Sequence, residues 1–75
     1  MIIYLTGPIK DVVKDGVIDV QYSADIKLLI QEISRALPDT LKIPFRISIN
    51  GHIAETETMV NEDDRVELIS LLQGG

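Results

Sequence analysis

The sequence predicts an α+β fold, with one helix packed on a small mixed sheet of four to five strands. Three observations predict it. Short apolar runs rich in β-branched residues open and close the chain, one central stretch switches to a three-to-four-residue hydrophobic period, and an Asn-Gly pair separates two further short runs. The 75 residues allow a single domain, residues 1–75, and little interior space, because a chain this small buries only about 60% of the surface it exposes when unfolded.

The elements follow in order. Residues 1–5 (MIIYL) form an apolar run of strand length, too short for a helix, which Gly7-Pro8 ends. After a mixed segment, Asp15-Gly16 is a turn dipeptide, and residues 17–22 (VIDVQY) read as a second strand antiparallel to the first. Over residues 23–37, Ile26, Leu29, Ile30, Ile33 and Leu37 recur at spacings of three and four and mark the buried stripe of a helix. Such a helix has about 14 residues and spans about 21 Å, enough to cover one face of the sheet. Ser23 is its expected N-cap, Asp25 in the first turn and Arg35 near the end suit the helix dipole, and Pro38 stops it. Residues 39–44 connect to a third strand, residues 45–49 (FRISI), which alternates cleanly. Asn50-Gly51 supplies the positive φ values of a two-residue type I′ hairpin into a short fourth strand, residues 52–54. Residues 55–64 are a polar loop with Met59 and Val60 as its expected core anchor, and residues 65–72 (RVELISLL) are the last strand. A flexible tail closes the chain at about residues 72–75.

One helix stripe and one sheet face must cover each other. The two terminal strands are the most apolar, so they belong side by side at the centre of the sheet, which is the β-grasp arrangement seen in ubiquitin. Ile3, Leu5, Val66 and Leu68 should then face the helix, and Ile2, Tyr4, Ile69 and Leu71 the opposite side.

Composition excludes several functions. Without cysteine there is no disulfide framework, no thiolate zinc site and no cysteine nucleophile. Seven basic and twelve acidic residues give a net charge of −5, and the scattered Lys and Arg offer no patch for nucleic acid. No apolar stretch approaches the roughly 20 residues that span a bilayer, and no basic segment precedes the first apolar run, so the expectation is a cytoplasmic protein with no membrane or nucleic-acid partner. His52, the single histidine, has no second His or Cys with which to hold a metal and no partners for a catalytic triad. Gly7-Pro8 lacks the spacing and lysine of a phosphate loop. No metal site and no bound cofactor are predicted.

The segment INGHIAE, a polar loop, and NEDDRVELISLLQGG at the chain end together resemble the MoaD/ThiS family of sulfur carriers, and most closely the small subunit of molybdopterin synthase. The element order matches over the whole chain, while the specific motif is confined to residues 49–55 and 61–75. One departure is visible. The family usually places Gly between two acidic residues before the last strand. Here the run is Glu62-Asp63-Asp64, so an Asp is expected to take up the left-handed conformation at some cost.

The resemblance implies that the chain is not an enzyme but a carrier. An ATP-using adenylyltransferase related to ubiquitin-activating enzymes would convert the Gly75 carboxylate to an acyl adenylate. Persulfide sulfur would then replace AMP to leave a thiocarboxylate, which donates sulfur inside an acceptor such as the large subunit of molybdopterin synthase. ATP would belong to the activating partner. Gly74 and Gln73 would complete the tail, and Gly at both last positions suits a thin, bendable approach to a buried active site. Tyr4, Ile69, Leu71 and Leu72 are the expected apolar contact patch, with Glu62, Asp63, Asp64 and Glu67 steering a basic partner. A thiamine-pathway carrier, a ubiquitin-like modifier joined to lysine through Gly75, and a binding-only β-grasp domain are the alternatives.

Overall fold

The computed structural model describes residues 1–7, 10, 13–37 and 45–70. Pro8, Pro38, the connection 39–44 and the tail residues Leu71, Leu72, Gln73, Gly74 and Gly75 lie outside the described residues. Strands β1 (Ile2–Leu5), β2 (Val17–Asp19), β3 (Phe45–Ile49), β4 (His52–Ile53) and β5 (Val66–Ser70) form one sheet in the order β2-β1-β5-β3-β4, with a single α-helix, α1 (Ile26–Ala36). The terminal strands β1 and β5 are parallel neighbours at the centre, with Ile3 opposite Val66 and Leu5 opposite Leu68, and the other pairings are antiparallel. This is the ubiquitin-like β-grasp that the apolar character of the two chain ends predicts.

Strand alternation sorts the side chains between two faces. Ile3, Leu5, Ile47, Ile49, Val66 and Leu68 are buried and meet Ile26, Leu29, Ile33 and Leu37 of the helix segment in one core cluster. Each such side chain contributes roughly 1.5–3 kcal/mol by leaving water. Ile30, assigned to the buried stripe by its spacing, is 38% exposed. It sits at the margin of the stripe and lines a groove of about 330 Å³ with Ile26, Phe45, Ile47 and Ala54, between α1 and the β3–β4 hairpin.

The helix starts later than its sequence suggests. Asp25, not Ser23, is the N-cap, its carboxylate accepting the Lys27 amide at 2.8 Å, while Ser23 Oγ accepts the Asp25 amide at 3.2 Å. The cause is a distant segment. Asp25 is extended and bridges Met59, and the Val60 amide donates to the Ala24 carbonyl, so the backbone before Ile26 is held out of the helix. The same bridge separates the two expected anchors. Val60 points inward and is 1% exposed, whereas Met59, its neighbour on the extended chain, is 70% exposed. β2 is shorter than the residue pattern 17–22 because its partner β1 begins at Ile2, opposite Asp19, and Tyr22 beyond it donates its hydroxyl to the Val60 carbonyl at 2.6 Å. At the other end of α1, Leu37 takes the extended conformation that a following proline imposes, and its amide closes the last turn on Ile33. Among the described residues, no helix is long and apolar enough to cross a membrane.

Candidate functional site

The face of the sheet away from the helix carries the site residues that the sequence singled out and the structure describes. Strand register sets their order. Val17, Tyr4, Glu67, Ser48 and Ile53 lie side by side in one row across all five strands, and Ile69 lies beside Arg46. Tyr4 and Ile69, both expected in a contact patch, are on this face and half-buried, and Ile2 and Ile53 add exposed apolar area. Leu71 and Leu72, the other two members of that patch, fall outside the described residues.

Arg65, which the sequence did not mark, shapes the centre of the face. Its guanidinium lies 4.0 Å from the centroid of the Tyr4 ring, and its Nε is 3.7 Å from Glu67 Oε1. The planar cation covers the ring face while its own side chain stays largely exposed, an arrangement worth about 0.5–1 kcal/mol at such a site. No local pattern could have found it. Residues 4 and 65 meet only because β1 and β5 are parallel neighbours.

The acidic residues divide into two groups. Glu67 faces Arg65, and Asp64 is held in the turn that precedes β5. There Asp64 Oδ2 accepts the Asn61 amide at 2.8 Å, the Asp64 amide donates to the Asn61 carbonyl at 3.0 Å, and Asp64 Oδ1 accepts from Asn50 Nδ2 at 2.9 Å. Glu62 and Asp63 are exposed, and neither they nor Asp64 make an ion pair with a described residue, so of the four only Glu67 has its charge paired. The expected left-handed Asp is absent from this turn. The non-glycine residues with positive φ, among those described, are Asp15 and Asn50. The Asp64 side chain closes the turn by hydrogen bonds instead, which removes the need for glycine there.

The exit of the central strand is also defined. Ser70 ends β5 opposite Phe45, the first residue of β3. Beside it, the amide and Oγ1 of Thr6 both donate to the Leu68 carbonyl, at 3.2 and 2.7 Å, and tie off the end of β1. Gly7 then turns with φ of +62°, a conformation that side-chain-bearing residues rarely adopt. Residues 71–75 follow Ser70, and five extended residues reach at most about 18 Å. His52 lies exposed on edge strand β4, and among the described residues no group of three or more His, Cys, Asp or Glu is placed to hold a metal ion. The described face offers exposed apolar area and an arginine stacked on Tyr4.

Comparison with known proteins agrees with this architecture. The model of the ThiS family matches residues 3–75. Among solved structures, a chain in the protein–protein complex of subunits 1 and 2 of molybdopterin-converting factor from Helicobacter pylori 26695 superposes with a TM-score of 0.66 at 22% identity, over 99% of this chain and 96% of that one. A comparison with curated proteins gives no match. With its family match extending over nearly all its length and its β-grasp fold, the chain belongs to the ThiS family, whose members are small sulfur carriers.

Proposed function

We propose that this chain carries sulfur as a thiocarboxylate on Gly75, in the biosynthesis of molybdopterin. The observation that supports the reading best is the family match over residues 3–75, on a fold whose central strand leads directly into the tail. A carboxylate is a poor electrophile, so an ATP-using partner related to ubiquitin-activating enzymes joins it to AMP and releases pyrophosphate. The terminal sulfur of a persulfide attacks the carbonyl carbon and AMP leaves. A thiol then takes up the second sulfur of the resulting acyl disulfide as a new disulfide, freeing the thiocarboxylate as nucleophile for the acceptor. The carrier contributes no side chain to these steps, and charge stabilisation comes from its partners.

Tyr4, Ile69, Leu71 and Leu72 form the docking patch, and Gln73, Gly74 and Gly75 thread the active site. The likeness to a chain from a two-subunit molybdopterin-converting factor supports a larger second subunit as acceptor. A second reading, equally compatible with the family match, is that the same thiocarboxylate serves thiamine synthesis.

ATP–pyrophosphate exchange by the activating enzyme tests the first step. The full chain is expected to support exchange. Gly75→Ala, which adds a methyl beside the reacting carbonyl, and a chain lacking Gly74-Gly75 are expected to lose it while unfolding at an unchanged denaturant concentration. Undiminished exchange with either variant contradicts the proposal. Supplying the thiocarboxylate form separately to a molybdopterin synthase large subunit and to a thiamine-pathway acceptor separates the two pathways.

A further inference from the structure

Asn50 and Gly51 occupy the two corners of the β3–β4 hairpin, with φ of +53° and +87°. Nothing crowds the position of a Cβ at Gly51, so glycine is there for its backbone conformation rather than for space. Asn50 is anchored at both ends of its side-chain amide. Nδ2 donates to Asp64 Oδ1 at 2.9 Å, and Oδ1 accepts the Arg65 amide at 2.9 Å. Its main-chain amide donates to the Arg65 carbonyl, also at 2.9 Å. One side chain therefore clasps the hairpin to the residue that leads into β5.

Asparagine followed by glycine is chemically labile in any unfolded chain. The backbone nitrogen of the glycine, unhindered by a side chain, attacks the asparagine Cγ. A C–N bond forms, ammonia leaves and a five-membered succinimide results. Water opens that ring at either carbonyl, giving aspartate or isoaspartate. Ring closure here requires Asn50 to release both Asp64 and the Arg65 amide.

We propose that Asn50–Gly51 is a deamidation site that the fold keeps closed through Asp64 and Arg65, and that conversion there opens the clasp irreversibly. Aspartate at position 50 sets a carboxylate where an N–H donor faced Asp64 Oδ1, so two acceptors confront each other without a proton between them. Isoaspartate adds a methylene to the main chain inside a two-residue turn and shifts the register that the turn fixes. Either product loosens the turn from Arg65, the residue that lies over Tyr4 at the centre of the open face.

The test incubates the full chain at mildly alkaline pH, folded and in urea. Deamidation is followed in the tryptic peptide of residues 47–65 by its mass and by chromatographic separation of the isoaspartyl form. The folded chain is expected to convert about tenfold more slowly than the unfolded one, the factor that a local opening free energy of about 1.4 kcal/mol supplies. Asp64→Ala, checked for folding by circular dichroism, should convert faster than the folded parent, and Asn50→Gln should suppress the product at this position. Asn50→Asp should unfold at a lower urea concentration than the parent. Equal rates in the folded and unfolded chains overturn the protection, and an Asn50→Asp variant as stable as the parent overturns the consequence. Should Asp64→Ala fail to fold, the folded-against-urea comparison and the Asn50→Asp melt still decide both halves.

Discussion

The two faces of the sheet are made by the same strands and do different work. On the helix side, Ile3, Leu5, Ile47, Ile49, Val66 and Leu68 are packed away from water. On the other side, the intervening residues of the same strands leave Ile2 43% exposed and Tyr4 and Ile69 half-buried, with Arg65 laid across the Tyr4 ring. The open face mixes apolar residues with Glu67, Ser48 and Arg65 at its centre, whereas the helix side is apolar throughout. One face has a helix of its own, and the other retains apolar area that a partner can remove from water. Buried and open positions thus alternate along one strand, and β5 carries both, with Leu68 facing the helix and Glu67 and Ile69 facing out; the proposed docking role falls on the open ones.

That division is open to attack by single substitutions. Leu68→Ala should remove about 2–5 kcal/mol of stability, read from the urea midpoint, because its side chain is fully enclosed. A loss below about 1 kcal/mol would mean that the helix-facing core is not packed as described. Tyr4→Ala should have the opposite profile. Binding to the activating enzyme or to the acceptor subunit should weaken by about 2 kcal/mol, as for an aromatic anchor, with a smaller effect on the urea midpoint than Leu68→Ala. Equal binding by this variant would remove the docking role from the open face. Tyr22→Phe keeps the ring that packs against the core and takes only the 2.6 Å hydrogen bond to the Val60 carbonyl, so a loss of about 1 kcal/mol is expected in the same denaturation assay. Arg65→Ala should have the smallest effect on stability, under about 1 kcal/mol, since the guanidinium is largely exposed. Its signature should be a changed salt dependence of the partner association rate, measured by stopped flow.

What the sequence revealed was local or periodic. The Asn50-Gly51 corner, the Ile26–Leu29–Ile33 stripe and the alternation of residues 45–49 follow from backbone chemistry and side-chain period, and the central pairing of the terminal strands follows from their apolar character. What stayed hidden depends on residues far apart in the chain. Asp25 caps the helix in place of Ser23 because Met59 pairs with it, and Val60 is buried alone because that same bridge turns Met59 outward. That Asp64 closes its turn by accepting from Asn50, fourteen positions earlier, is equally invisible in the local sequence. The Tyr4–Arg65 stack is likewise visible only once β1 and β5 are paired. The expectation for the tail, by contrast, rests on family resemblance, since no periodicity or spacing assigns chemistry to Gly74 and Gly75.

The central claim is that this body presents the carbonyl of Gly75 to other enzymes. Mass analysis of the C-terminal tryptic peptide, residues 66–75, tests it most directly after incubation with the activating enzyme, ATP and a persulfide donor. The account predicts a mass gain equal to the replacement of one oxygen by one sulfur, located on Gly75. An unchanged peptide in the presence of an enzyme proved active on its own carrier, or recovery of the peptide joined through Gly75 to lysine with no sulfur incorporated, would contradict it.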